Sequence, residues 1–231
     1  MLELAQVDAF YGNSRALQGI NLKVEKGEFL AVLGRNGVGK TTLMRAILGL
    51  MDRVTGAIKL DGQDLGSLPT HRRAKARIGY VPQGRGILPK FTVRENLILG
   101  TFAKAKGNSS IDEWVFDLFP VLKEFLGRYG GNLSGGQQQQ LAIARALLTE
   151  PKIILLDEPT EGIQPNIVEQ IEEVITRLNR ERGITVILVE QSVAFARRAA
   201  NRFALLEKGR VVVEGAVAEL TDELVHRHMA V

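Results

Sequence analysis

Apolar residues fall in two rhythms along this chain, short runs that read as strands and longer stretches with helical spacing. Residues Leu2 to Ala9 alternate loosely between apolar and polar, and Ile20, Leu22 and Val24 alternate again, which predicts two half-buried strands. Glu25-Lys26-Gly27-Glu28 is expected to turn the second of these as a hairpin into Phe29-Leu30-Ala31-Val32-Leu33. That run, Ile153 to Leu156 and Ile184 to Val189 are unbroken apolar segments, the pattern of strands buried on both faces of a parallel sheet. Gly56 to Gly62 reads as a short strand ending in an Asp-Gly turn, Ile78 to Val81 as another, and Phe203 to Leu206 with Val211 to Val213 as a hairpin. Helical spacing follows Lys40, crosses the basic cluster His71 to Arg77, and runs from Val93 to about Gly100 behind a Thr92/Glu95 capping box. It returns as one amphipathic helix from Ile111 to about Leu126, then over Gln138 to Leu148 and Pro165 to Glu181, and as a short tail from Ala216. Strand, helix, strand in this order predicts an α/β fold: one domain, 1–231, with a mainly parallel sheet and N-terminal antiparallel strands. The helical stretch of approximately 84–150 is expected to be an inserted helical subdomain, with an exposed connection over 104–110.

The stretch Gly34-Arg35-Asn36-Gly37-Val38-Gly39-Lys40-Thr41-Thr42 lies between the first apolar strand and the first helix. This is the G-x-x-x-x-G-K-T spacing of a P-loop in the strand–helix setting a P-loop needs. Glycines without Cβ atoms let successive N–H groups point at the β- and γ-phosphates of a nucleotide, and the helix N-terminus presents its free N–H groups to the same anion. Lys40 places a positive charge beside those oxygens, and the Thr41 hydroxyl can ligate Mg²⁺. Further along, Asp157 and Glu158 end a buried strand, where one carboxylate can hold a metal or its water and the next can polarise an attacking water. Leu133-Ser134-Gly135-Gly136-Gln137 precedes a helix; Ser134 reads as its N-cap, and the stretch as a cap alone or as a second phosphate-binding surface. Tyr11, at the end of the first strand, is an ordinary strand-end aromatic or a platform for a flat base. Gln83 stands where a strand gives way to a loop, and Glu190-Gln191 end a strand as Asp157-Glu158 do.

Composition narrows the classes. With 231 residues the chain can bury a substantial core, and with no cysteine it has neither disulfide nor thiolate metal site. No apolar run approaches the roughly 18 residues of a membrane span, and Met1-Leu2-Glu3-Leu4 has no leader character, so the protein is expected to be neither exported nor membrane-embedded by itself. The net charge of +4 is mild. The cluster His71 to Arg77 is expected to be a solvated helix face, and no aromatic interleaves it to stack on bases.

With the P-loop, Gln83, Leu133 to Gln137 and Asp157-Glu158 in this order and spacing, the chain resembles the ATP-binding subunit of ABC transporters from end to end. The resemblance implies a P-loop NTPase (RecA-like) fold with ATP and Mg²⁺ as ligands. By it Tyr11 becomes the adenine-stacking residue, Gln83 the glutamine near Mg²⁺ and the membrane-subunit contact, and Thr41, Gln83 and Asp157 the metal set. Glu158 and Gln191 become the catalytic pair, and Ser134-Gly135-Gly136-Gln137 the signature that closes on the ATP of a partner subunit. Implied partners are membrane-spanning permease subunits, a second ATP-binding subunit, identical or related, packed head to tail, and a periplasmic solute-binding protein reached indirectly. The implied location is peripheral, on the cytoplasmic face of the inner membrane, with no nucleic acid partner.

Within that family, Tyr80-Val81-Pro82-Gln83-Gly84-Arg85, Asp157-Glu158-Pro159-Thr160-Glu161-Gly162-Ile163-Gln164-Pro165 and Leu188-Val189-Glu190-Gln191 are similar to the branched-chain amino acid and urea uptake group. The T-E-G-I-Q-P run and the ending His226-Arg227-His228-Met229-Ala230-Val231 are most similar to its urea-uptake members. Two positions depart from the general pattern: Gln164 where many members carry an aspartate, and Gln191 where they carry a histidine. A neutral amide can hydrogen-bond a γ-phosphate oxygen but carries no imidazolium charge, which leaves room for slower hydrolysis; because the group it resembles shares the change, loss of activity is not expected. Two other classes remain as alternatives, an ATP-dependent clamp on nucleic acid and a regulatory cassette with weak hydrolysis.

Overall fold

A computed structural model of the chain describes residues 1–104 and 110–229. In chain order the first half carries β1 (Leu2–Tyr11), β2 (Ser14–Val24), β3 (Phe29–Leu33), α1 (Lys40–Leu48), β4 (Arg53–Leu60), β5 (Gln63–Asp64), α2 (Thr70–Lys75) and β6 (Ile78–Val81). There follow α3 (Val93–Thr101), α4 (Trp114–Leu118), α5 (Pro120–Glu124) and α6 (Gly135–Leu147). The chain closes with β7 (Ile153–Asp157), α7 (Pro165–Arg182), β8 (Thr185–Glu190), α8 (Val193–Ala199), β9 (Arg202–Glu207), β10 (Arg210–Ala216) and α9 (Asp222–Met229).

Two sheets form. An antiparallel sheet has the order β2-β1-β4-β5, and a larger sheet has the order β10-β9-β3-β8-β7-β6. In the larger one β9, β3, β8, β7 and β6 are parallel, and β10 adds an antiparallel edge. Every residue of β3, β7 and β8 is buried, as their unbroken apolar runs predict. The pleat of β3 divides two cores: Leu30 and Val32 join β1, β2 and α1, while Phe29, Ala31 and Leu33 join α3 to α8. The helices α3 to α6, between β6 and β7, bury Val93, Leu97, Phe116, Leu122 and Leu141 in that second core.

Two expectations meet a different outcome. Glu25 to Glu28 does turn locally, with Glu28 N–H donating to Glu25 O at 3.2 Å, yet no hairpin forms, because β2 pairs with β1 and β3 lies in the other sheet. Both edges of β3 are taken by β8 and β9, so the four residues are a crossing between sheets. The single helix expected over 111–126 is two, α4 and α5, broken at Phe119 (φ −135°, ψ 73°). Pro120 drives the preceding residue out of the helical region and supplies no N–H to continue the ladder. The loose alternation of β1 has its cause in Gln6, whose φ of 51° sits in a bulge between the Leu4 and Val7 registers. The connection expected over 104–110 lies mostly outside the described residues.

The basic cluster is only partly a solvated face. Arg73 is 5% exposed, and its guanidinium donates to Leu68 O at 2.9 Å, Ala46 O at 3.0 Å and Ile47 O at 2.8 Å. It closes carbonyls in the last turn of α1, groups a helix end leaves without partners, and the positive charge suits the dipole there. Replacing Arg73 with Met is expected to lower the stability of the chain by about 2 kcal/mol, because two buried carbonyls and a part-buried one lose a charged donor. Urea unfolding followed by far-UV circular dichroism checks this; an unchanged midpoint would contradict it.

Candidate active site

Parallel strands deliver their following loops to one edge of the sheet, and here β3, β8, β7 and β6 do so side by side. The loops are 34–39, 191–192, 158–164 and 82–92, which hold Gly34 to Gly39, Gln191, Glu158 and Gln83, with Asp157 and Lys40 to Thr42 directly beside them. The α1 helix opens from Gly39 in the left-handed region (φ 110°), with no side-chain cap and no acid in its first turn. Three helices, α3, α6 and α8, are capped by the side chains of Thr92, Ser134 and Ser192, while α2, α4, α5 and α7 share with α1 the lack of a side-chain cap bond. The N–H groups of α1 are left for an anion. Gly34 has a second reason to be glycine besides approach to phosphate, since a Cβ there would stand 2.5 Å from the Leu206 carbonyl of β9.

Lys40 is 4% exposed and fully partnered within the chain. Its Nζ donates to Gly34 O at 2.9 Å and Arg35 O at 3.0 Å and pairs with Glu158 Oε1 at 3.0 Å. Glu158 reaches it from a left-handed backbone (φ 48°), a conformation that costs a non-glycine residue about 1 kcal/mol and that here aims the carboxylate into the loop. The Glu158 N–H donates to Val189 O at 2.9 Å, fixing that bend against β8. Gln83 donates its amide to Glu158 Oε2 at 3.3 Å and to Glu161 Oε2 at 2.9 Å, which places it on the two acids after β7 and not on Thr41 or Asp157.

Asp157 is fully buried, accepting from the Thr41 hydroxyl at 3.1 Å and from Tyr80 OH at 3.3 Å. Burial pushes its carboxyl above the ordinary carboxylate range, and the Glu158 charge adds to this against the two hydrogen bonds. Burial likewise pushes the Tyr80 hydroxyl up, with the Asp157 charge next. A hydroxyl and a carboxylate in contact suit Mg²⁺, which binds through one or two protein oxygens and completes its shell with water and phosphate. Among the described residues no group of three or more His, Cys, Asp or Glu forms a cage of its own, in keeping with that mode.

Tyr11 is 40% exposed, with its hydroxyl 3.4 Å from Thr42 Oγ1 and the Arg45 guanidinium 5.6 Å from its ring centre, so the strand end does flank the first turn of α1. Arg35, Asn36 and Gly37 are exposed and Val38 is partly buried. A cavity of about 680 Å³ beside the P-loop is lined by Gly34, Arg35, Asn36, Gln191 and the α9 residues Asp222 and His226, among others. Ser134 to Gln137 does not line it. That segment closes on itself, Gln137 N–H donating to Ser134 Oγ at 3.3 Å and Ser134 N–H to Gln137 Oε1 at 3.0 Å. Gly136 packs so tightly on α7 that a Cβ would stand 2.7 Å from Ile167 Cγ2, while Gly135 faces Arg85.

Four residues escaped the sequence reading of the site: Tyr80, Thr160, Glu161 and Glu190. Glu190 carried a visible signal, since it ends β8 as Asp157 ends β7; the other three are placed by contacts across strands that no local pattern encodes.

The chain matches the family model described as ABC transporter over residues 17–161. The high-affinity branched-chain amino acid transport ATP-binding protein BraG of Pseudomonas aeruginosa is 41% identical over 221 residues, 95% of this chain and 94% of that protein. The probable branched-chain amino acid transport ATP-binding protein LivF of Archaeoglobus fulgidus is 36% identical over 224 residues, 96% of this chain and 94% of that protein. Among solved structures, the dimeric post-hydrolysis state of an ATP-binding cassette bound to ADP and Pi matches with a TM-score of 0.83 and 30% identity, over 94% of this chain and 99% of that one.

The buried, raised Asp157 gives a prediction with a sign. Its penalty is absent below the ordinary carboxylate pKa and complete once the pH exceeds the raised value in the folded chain. Asp157→Asn is therefore expected to stabilise the nucleotide-free protein at neutral pH by about 1 kcal/mol, a gain that shrinks as the pH falls through that window. Thermal unfolding from pH 4 to 8 tests it; a gain independent of pH would contradict the assignment.

Proposed function

The chain belongs to the ABC transporter family, and on that premise we propose that it is the ATP-hydrolysing subunit that powers an importer. The observation that carries the reading is the meeting of an uncapped helix N-terminus, Lys40, the Thr41–Asp157 contact and Glu158 at one sheet edge. Backbone N–H groups of 34–41 and the α1 dipole bind the β- and γ-phosphates. Lys40, now shared between two carbonyls and Glu158, turns to the phosphate oxygens, and the freed Glu158 carboxylate accepts a hydrogen bond from the attacking water. Thr41 and Asp157 would hold Mg²⁺, which would supply positive charge beside the phosphates; Gln83, bonded to Glu158 and Glu161, would have to turn to reach it. Tyr11 offers its exposed ring to the adenine, and the Gln191 amide hydrogen-bonds at the γ-phosphate side without contributing a charge.

Ser134 to Gln137 serves the nucleotide of a second cassette. The segment stands apart from the P-loop of its own chain, and the similar solved cassette is a dimer, so a head-to-tail pair, identical or related, completes each site. The capping box of α6 leaves the Gly135 and Gly136 N–H groups, beside Ser134 itself, to meet the partner's phosphate. Permease subunits dock beyond Gln83, where Leu88, Phe91 and Tyr129 are 37%, 44% and 55% exposed and Asn96 pins the Leu88 and Phe91 carbonyls from below. No helix among the described residues is long and apolar enough to cross a membrane, which suits a subunit held peripherally at the cytoplasmic face by such a permease, with a solute-binding protein on the far side.

The solute is a small polar one, a branched-chain amino acid or urea. The relatives' names support the first; the Thr160-Glu161-Gly162-Ile163-Gln164-Pro165 run supports the second. Glu158→Gln is expected to lower ATP turnover by about 10²-fold or more while retaining ATP binding. Uptake of labelled leucine and labelled urea in cells carrying Lys40→Ala in place of the unmutated chain names the cargo by the one that is lost; loss of neither would contradict the import reading.

A further inference from the structure

One buried acid at the site has no part in the chemistry above. Glu190, the last residue of β8, is 5% exposed, and its carboxylate gathers donors from two loops. Oε1 accepts from the Thr160 hydroxyl at 2.6 Å and from Thr160 N–H at 3.3 Å; Oε2 accepts from Gln191 N–H at 3.1 Å. All three donors are neutral, and no ion pair to the group forms among the described residues, an expensive arrangement for a charge. The geometry explains why an acid is used nevertheless. Donors converge on both oxygens, and only a carboxylate accepts at both ends, since an amide would set an NH₂ against N–H groups on one side.

We propose that Glu190 is a positioning residue for hydrolysis, a clamp that holds the Glu158 loop and the Gln191 loop in fixed register across the β7–β8 edge. Thr160 lies two residues after Glu158, whose own N–H is tied to Val189 O, the residue before Glu190. The left-handed bend at Glu158 is thus held at its start by the β8 backbone and just past its end by the Glu190 side chain. Without the second tie the bend is free to relax, and a shift of the carboxylate by about 1 Å costs a reaction of this kind up to about 10²-fold. The same carboxylate fixes the backbone at Gln191, so γ-phosphate contact and water activation are set by one group. Through Thr160 the clamp also reaches the 160–164 segment that precedes α7, so a partner cassette pressing on that segment would be felt at Glu158. This inference rests on the reading of Glu158 as the residue that activates water.

The test uses the full chain and four variants: Thr160→Val, which removes the hydroxyl and keeps the shape; Thr160→Ser, which keeps the hydroxyl; Glu190→Gln; and the Thr160→Val/Glu190→Gln pair. ATP turnover, equilibrium affinity for a non-hydrolysable ATP analogue and thermal midpoint are measured for each. The clamp predicts that Thr160→Val and Glu190→Gln each lower kcat by about ten-fold, with affinity changed by less than about two-fold, and that Thr160→Ser stays near the unmutated rate. In the double variant the losses should not multiply, because both substitutions break the same link. Turnover of Thr160→Val within about two-fold of the unmutated chain would overturn the clamp, as would a loss in kcat matched by losses in affinity and midpoint. Glu158→Gln measured alongside separates the two readings. If it is inactive while Thr160→Val is not, the clamp alone fails; if it remains active, the role of Glu158 fails and the clamp with it.

Discussion

A single buried ammonium organises this site. Lys40 is almost entirely out of water, and its three donors go to the Gly34 and Arg35 carbonyls and to Glu158. The two carbonyls make the cation part of the loop's shape, and the Glu158 carboxylate balances its charge. Breaking such a pair by removing one member leaves a charge buried alone, which costs several kcal/mol, so the loop tolerates the loss of Glu158 as a partner only when another anion takes its place. On the proposed reading a nucleotide phosphate is that anion, and its binding would free the Glu158 carboxylate for work on water.

The other parts of the edge follow the same economy of charge. Three helix starts in the fold are satisfied by their own side chains: Thr92, Ser134 and Ser192 each cap one. The start of α1 has no such cap, and on the proposed reading the nucleotide phosphates would complete it. Asp157 and Glu190 are both buried with their carboxyls raised by that burial, a cost the fold bears to keep one acid beside Thr41 and another across the gap to Thr160. These are the features by which active sites trade stability for function. The sheet provides the rigidity that makes the trade possible, since β7 and β8 are buried along their whole length and register with one another from Ile153 to Asp157.

Much of this is legible in the order of residues alone. The apolar runs at 29–33, 153–156 and 184–189 announce buried parallel strands, the 34–42 spacing announces the nucleotide loop, and Thr92 with Glu95 announces a helix start; all depend on neighbours within a few residues. The break at Phe119 is equally local, and the residue before a proline is its signal. A periodicity that continues past Pro120 outweighs that signal when 111–126 is read as a single helix.

What the sequence determined by itself was therefore the kind of each element and the type of chemistry its loop could carry, because dihedral preference, capping and hydrophobic period act over short spans. What only the tertiary structure decided was who meets whom. That β3 pairs with β8 and β9 and leaves β2 to another sheet, that Arg73 closes the end of α1, that Gln83 rests on Glu158 and Glu161, and that Glu190 ties Thr160 to Gln191 all join residues far apart in the chain. Such contacts arise when buried donors and acceptors must find partners in a packed interior, and the sequence supplies those groups without saying which will be within reach.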